Sequence, residues 1–157
     1  MNFEHIVIVN DPRQPLAAPL SRDQVWAGLL HRVEDSRPFL SGLDSCEVLS
    51  REHGVFTRRL TFGATEIHDR VTLAAGEWVR FTTEPSATHR GGTLTIAIEE
   101  HREGELALRF SYASIHAVGH EAEDAAYEPF LKQAYEAADI DTVRVIRLLA
   151  TTTGVAN

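Results

Sequence analysis

The sequence predicts an α+β fold in which one curved antiparallel sheet is closed by a long C-terminal helix. Three observations predict it. Between residues 44 and 116 the apolar pattern has a period of two and divides into six strand-length runs, about 44–51, 55–62, 67–73, 77–84, 92–101 and 105–116. Three connections between these runs, Glu52-His53-Gly54, Ala74-Ala75-Gly76 and Arg102-Glu103-Gly104, end in glycine. A three-residue hairpin loop needs a left-handed third residue, which glycine adopts without a Cβ penalty. After the last run the period returns to that of a helix, with an apolar stripe through Phe130, Leu131, Ala134, Ala138, Val145, Leu148 and Leu149.

The elements follow in order. A first strand is expected from Asn2 to Asn10, ended by Asp11-Pro12, Pro15 and Pro19. Ser21 stands three residues before Gln24 in a capping-box arrangement, so a helix starts there and runs to about Glu34 on Val25, Trp26, Leu29, Leu30 and Val33. Ser36 to Leu40, with Pro38, reads as a second, very short helix. The six runs then form a meander, with Gly63 to Glu66 as a four-residue turn. Pro129 is expected to break the closing helical segment into a short piece at about 121–127 and a main helix at about 129–151, because proline lacks the N–H and its ring clashes with the preceding turn.

Length and composition set further bounds. At 157 residues with 43% hydrophobic residues, the chain is expected to form a single domain over residues 1–157 with a substantial core. A net charge of -8, with 15 scattered Lys and Arg residues, offers no basic footprint, so neither nucleic acid nor an anionic membrane surface is an expected partner. Cys46 is the sole cysteine, which excludes an intrachain disulfide and suits a reducing compartment. No apolar stretch approaches the roughly 20 residues of a membrane-spanning helix, and the chain opens on a strand-like segment carrying Glu4. A cytoplasmic location is expected, without integral membrane association.

The register implied by the glycine loops sets Val48 opposite Arg58, Val71 opposite Val79 and Phe110 opposite Ile96. One parity of each strand then lines the concave face, which includes Phe56, Phe81, Ile96 and Phe110 and is mostly apolar. Its polar exceptions are Arg58, Asp69, Tyr112, Ser114 and His116. The four-residue turn sets Arg58 and Asp69 diagonal to each other. They read either as a buried ion pair or as a ligand-binding arginine held by its carboxylate. Tyr112 reads as a core aromatic or as a hydrogen-bond donor to a ligand, and His116 as a capping residue or as a general acid or base. Metal-ligand spacing is absent: His116 and His120 straddle a strand-to-helix junction, and alternation sends Glu99 and Glu100 to opposite faces. No nucleophile elbow, dinucleotide fingerprint or Cys–His pairing is found, so no catalytic set is assigned and neither a metal nor another cofactor is expected.

The element order resembles the helix-grip fold of the SRPBCC superfamily, which includes START, pollen-allergen and polyketide-cyclase proteins. Asn2-Phe3-Glu4-His5, Asn10-Asp11-Pro12, Gln24-Val25-Trp26 and Ala138-Asp139-Ile140-Asp141-Thr142-Val143-Arg144 resemble its AtaL-like branch of unknown function. The glycine-rich loop of the plant allergens is replaced here by Glu52-His53-Gly54. The resemblance implies an internal cavity for a hydrophobic or aromatic small molecule between sheet and C-terminal helix. Within it, Arg58, Asp69, Phe81, Ile96, Phe110, Tyr112, His116 and Phe56 are the expected lining residues. Three functions remain open: a binding protein, a cofactor-free cyclase or aromatase of secondary metabolism, and an interaction or stress-related protein whose pocket is filled by side chains. Oligomeric state is not readable.

Overall fold

The computed structural model of the chain describes residues 2–87, 90–114 and 121–152. The strands are β1 (Asn2–Ile8), β2 (Ser45–Glu52), β3 (Val55–Phe62), β4 (Thr65–Ala74), β5 (Trp78–Thr83), β6 (Gly92–Glu100) and β7 (Leu106–Ser114). The helices are α1 (Arg22–Glu34) and α2 (Glu121–Thr152). The seven strands form one antiparallel sheet in the order β1-β7-β6-β5-β4-β3-β2. The meander thus carries β7 back beside β1, leaving β1 and β2 at the edges.

Each β-hairpin takes its register from its turn. In β6–β7 Phe110 faces Ile96, as expected. In β2–β3 Val48 also faces Arg58, but by another route. His53 and Gly54 form a two-residue loop with φ of 55° and 74°, the pattern of a type I′ turn, and a bulge between Val48 and Ser50 restores the count. Beyond the bulge Arg51 shares Phe56's side of the sheet and Ser50 faces Thr57, so Ser50 does not continue the inward series of Cys46 and Val48. The β3–β4 connection is a two-residue loop rather than a four-residue turn, which moves Arg58 directly opposite Asp69. In β4–β5 Gly76 is the middle of the loop, with Glu77 N–H donating to the Ala74 carbonyl; Val71 therefore faces Phe81 and not Val79. Both shifts are by two residues, so the inward parity of β4 and β5 survives.

Helix α1 opens on the expected capping box: Gln24 N–H donates to Ser21 Oγ and Ser21 N–H to Gln24 Oε1. It is the one α-helix between β1 and β2, because the second short helix expected at 36–40 is a single turn, with Phe39 and Leu40 N–H both donating to the Ser36 carbonyl. Asn10 ties the end of β1 to two loops through the Leu20 backbone and the Gly104 carbonyl. Helix α2 runs through Pro129 without interruption. The proline forfeits one N–H donor, and the many remaining helical bonds of this 32-residue helix carry the chain past it. Val143, Val145 and Ile146 of α2 join Val25, Leu29 and Val33 of α1 and Val71, Val79, Ile96, Leu108 and Phe110 of the sheet in one core. Gly28 lets the helices touch: a Cβ there would stand 2.7 Å from both γ carbons of Ile146.

Candidate functional site

The site begins with a charge that a sheet interior cannot leave alone. Arg58 on β3 is buried, and its Nε and Nη2 donate to Asp69 Oδ1 and Oδ2 at 2.9 and 2.7 Å across the strand pair. Its Nη1 donates to the carbonyls of Arg32 and Val33 and to Ser36 Oγ, at 2.9 to 3.0 Å. Those carbonyls end α1, where intrahelical partners run out and the helix dipole favours a cation. Arg58 therefore caps α1 and pairs Asp69 with the same fork.

Arg32, in the last turn of α1, is buried as well. The stripe Val25, Leu29, Val33 brings this face inward, and position 32 falls seven residues after Val25 on it. Its Nη1 donates to Thr142 Oγ1 of α2 at 2.8 Å, while its Nε–H is buried without an acceptor among the described residues. The guanidinium lies 5.3 Å from the Phe81 ring centre and 5.8 Å from that of Phe39. Burial pushes its pKa down, though an arginine keeps its proton.

On the opposite wall Tyr112 of β7 donates its hydroxyl to Asp139 Oδ1 of α2, and Asp139 Oδ2 meets His5 Nδ1 of β1 at 3.1 Å. Burial raises the Tyr112 pKa well above the ordinary phenol value, and the hydrogen bond to the carboxylate adds to it. Burial also raises the Asp139 carboxyl, against the lowering effect of hydrogen bonds from Tyr112 and His5. Tyr135 of α2 stacks on Tyr112 with ring centres 4.1 Å apart and 6° between planes. His5 is 19% exposed and its Nε2 lies 3.9 Å from Glu136, so the chain Tyr112–Asp139–His5 leads outward.

Between these walls lies a cavity of about 210 Å³. Leu40, Leu60, Phe62, Ile67, Phe81 and Leu94 supply its apolar surface; Arg32, Ser36, Arg58, Asp69, Thr83, Tyr112, Ser114 and Tyr135 supply its polar groups. Of the residues expected from sequence, Arg58, Asp69, Phe81 and Tyr112 lie on this wall. Ile96 and Phe110 are wholly enclosed in the core, and Phe56 packs at its edge under the Arg51 guanidinium. His116 lies outside the described residues. Sequence reasoning missed Arg32, Tyr135 and the His5–Asp139 contact. The available signals were Arg32's place on the α1 stripe and the presence of His5 and Asp139 in two of the segments that carry the family resemblance.

The fold has solved relatives. The Zhui aromatase/cyclase from Streptomyces sp. R1128 superposes with a TM-score of 0.63 at 18% identity, covering 96% of this chain and 93% of that one. The di-domain ARO/CYC StfQ from the steffimycin biosynthetic pathway gives 0.66 at 14% identity, and the di-domain ARO/CYC BexL from the BE-7585A biosynthetic pathway gives 0.68 at 10%. This chain is covered to 98% and 94% in those two comparisons and spans 51% and 48% of the di-domain chains. At such identities the likeness establishes the helix-grip fold. Among the described residues no helix is long and apolar enough to cross a membrane. No curated protein matches the sequence. Residues 7–153 match the family described as AtaL, acetylaranotin biosynthesis cluster protein L, and the chain belongs to that family.

Proposed function

We propose that the protein binds an aromatic or otherwise apolar small molecule in the cavity between the sheet, the end of α1 and α2. The observation that carries this reading is the cavity's composition: six apolar side chains, among them Leu60, Phe81 and Leu94, face a cluster of polar groups in which Arg32, Ser36, Arg58 and Asp69 are buried, so an apolar ring and a polar substituent both find partners there. Its size bounds the ligand. At about 210 Å³ it lies below the range of about 300–1,000 Å³ typical of drug-sized sites and suits one or two fused rings better than a long chain. The fold shared with aromatase/cyclases is compatible with such a ligand but does not assign one. Two measurements test the reading: native mass spectrometry of protein purified without detergent, and amide chemical shifts during titration with 2-naphthol. A co-purifying aromatic species, or shifts centred on Leu60, Phe81 and Leu94, supports it. No retained species together with shifts confined to the outer surface overturns it.

A cofactor-free, cyclase-like activity is favoured by one further observation, the Tyr112–Asp139–His5 chain. A proton taken from an acidic position of a bound 1,3-diketone can pass to the Tyr112 oxygen while the phenol proton passes to Asp139. The phenol ends neutral, the carboxyl protonated and the substrate an enolate, and His5 connects Asp139 to solvent. Deuterium uptake by 1-phenyl-1,3-butanedione in D2O tests it. Catalysed uptake that Tyr112→Phe and Asp139→Asn abolish while binding persists supports turnover; uptake at the buffer rate in the unmodified protein excludes it.

A further inference from the structure

Two buried arginines border the cavity, and the fold treats them differently. Arg58 has both oxygens of Asp69, two carbonyls and a hydroxyl. Among the described residues Arg32, 8% exposed, has one hydrogen-bond partner, the neutral Thr142 hydroxyl, and a buried Nε–H with no acceptor. Among the described residues no carboxylate reaches ion-pair distance of it; Asp139 and Asp69 act on it only at longer range, and Arg58 opposes them as a like charge. A guanidinium keeps its proton, so the fold holds a formal positive charge in a desolvated place and leaves it incompletely bonded. Such a charge is costly unless an acceptor reaches it. Asp69, the carboxylate on this wall, and the last α1 carbonyls are already engaged by Arg58.

We propose that Arg32 is the anion-recognising residue of the cavity and that the ligand is an aromatic acid, or a phenol or enol bound as its oxyanion, with its rings among Leu60, Leu94 and Tyr112. This rests on the reading that the cavity binds an aromatic small molecule, and it adds the charge of that molecule. The guanidinium is already fixed: Thr142 holds one end, and the rings of Phe39 and Phe81 flank it. Little rotamer freedom is lost when an oxyanion binds, and a charge-assisted hydrogen bond forms away from bulk water. Nonspecific attraction works the other way, since a net charge of -8 repels anions from the surface as a whole.

Calorimetric titration with 1-naphthoate and with its methyl ester separates the two layers of the argument. The unmodified protein is expected to bind the acid at least tenfold more tightly than the ester. Arg32→Met should erase that preference by weakening the acid at least tenfold and the ester less than threefold, and Arg32→Lys should restore part of it. Because Arg32→Met removes an incompletely bonded buried charge, its melting temperature should not fall, which makes the variant usable. Equal affinity of the unmodified protein for acid and ester overturns the assignment and leaves the cavity reading standing. Equal losses of both ligands in Arg32→Met make Arg32 a structural tie between α1 and α2 and also overturn it. If neither compound binds, the cavity reading itself fails and the assignment goes with it.

Discussion

Arg58 and Asp69 stand directly opposite each other on β3 and β4 and are joined by two parallel hydrogen bonds, while the remaining amino group of Arg58 closes the end of α1. Both side chains are almost fully buried, at 2% and 6% exposure. A buried pair has a large desolvation cost on each side, and its two halves are not separable. Arg58→Met strands the Asp69 carboxylate and uncaps two carbonyls, so it should destabilise the protein by about 3–5 kcal/mol in urea unfolding. The double variant Arg58→Met/Asp69→Leu should recover a large part of that loss. A single variant within about 1 kcal/mol of the unmodified protein would show that Asp69 does not depend on this partner.

Gly28 tests the helix contact. Alanine is the better helix former by about 1 kcal/mol, so propensity alone favours Gly28→Ala. Packing opposes it, because the new methyl meets two carbons of Ile146, itself 1% exposed and without room to retreat. Overpacking of this kind costs about 1–3 kcal/mol and should dominate. In an Ile146→Ala background the two γ carbons are gone and only the Cβ of residue 146 remains close, at 3.1 Å, so the same substitution should cost much less than in the unmodified protein. An undiminished cost in that background would place it elsewhere than this contact.

The β2–β3 turn makes a prediction of opposite direction. His53 holds φ at 55°, a left-handed conformation that a histidine side chain adopts at a cost and that asparagine tolerates better. His53→Asn should therefore raise stability by about 0.5–1 kcal/mol, seen as a higher urea midpoint at unchanged slope.

These cases show which parts of the fold were legible in the sequence. Strand number and most of the inward parity follow from period-two runs and glycine positions; parity survives in β4 and β5 because the turn errors at Gly63 and Gly76 each displaced pairing by two residues, and fails in β2 beyond the bulge, at Ser50. Glycine marks a left-handed residue but not its place in the loop. The expected three-residue loop at Glu52-His53-Gly54 is a two-residue turn plus a bulge, two solutions with the same pairing at Val48 and Arg58. Arg58 and Asp69 were visible as charges on an apolar face. Arg32 was not, because an arginine near a helix end reads as a solvated C-terminal cation until the turn at Ser36–Leu40 folds Phe39 over it. His5 and Asp139 lie 134 residues apart, and no spacing rule connects them.

Asp139 carries a pH prediction whose sign follows from its surroundings. The groups facing it are Tyr112 from β7, His5 from β1, Glu136 beyond His5 on α2 and, at longer range, Arg32 from α1. Burial raises the folded carboxyl above its unfolded value of about 3.9, so the folded chain holds this proton more tightly than the unfolded chain does. Linkage then makes Asp139's contribution to stability complete below the unfolded value and progressively lost as pH rises through the folded one. An asparagine in its place is neutral at every pH and still accepts from the Tyr112 hydroxyl, so Asp139→Asn removes the charge without removing that acceptor. The stability of this variant relative to the unmodified protein should be most favourable near pH 7 and should decline as pH falls toward about 4, by about 1.4 kcal/mol for each unit of displacement. Replacing His5 by Gln in both proteins keeps the imidazole's own titration out of the difference. Urea unfolding across that range measures it. A difference that is flat with pH, or that grows in favour of Asp139→Asn on acidification, would mean that Tyr112 stabilises the carboxylate enough to cancel burial, and the outward proton path from Tyr112 through Asp139 would then lack a carboxyl poised to accept.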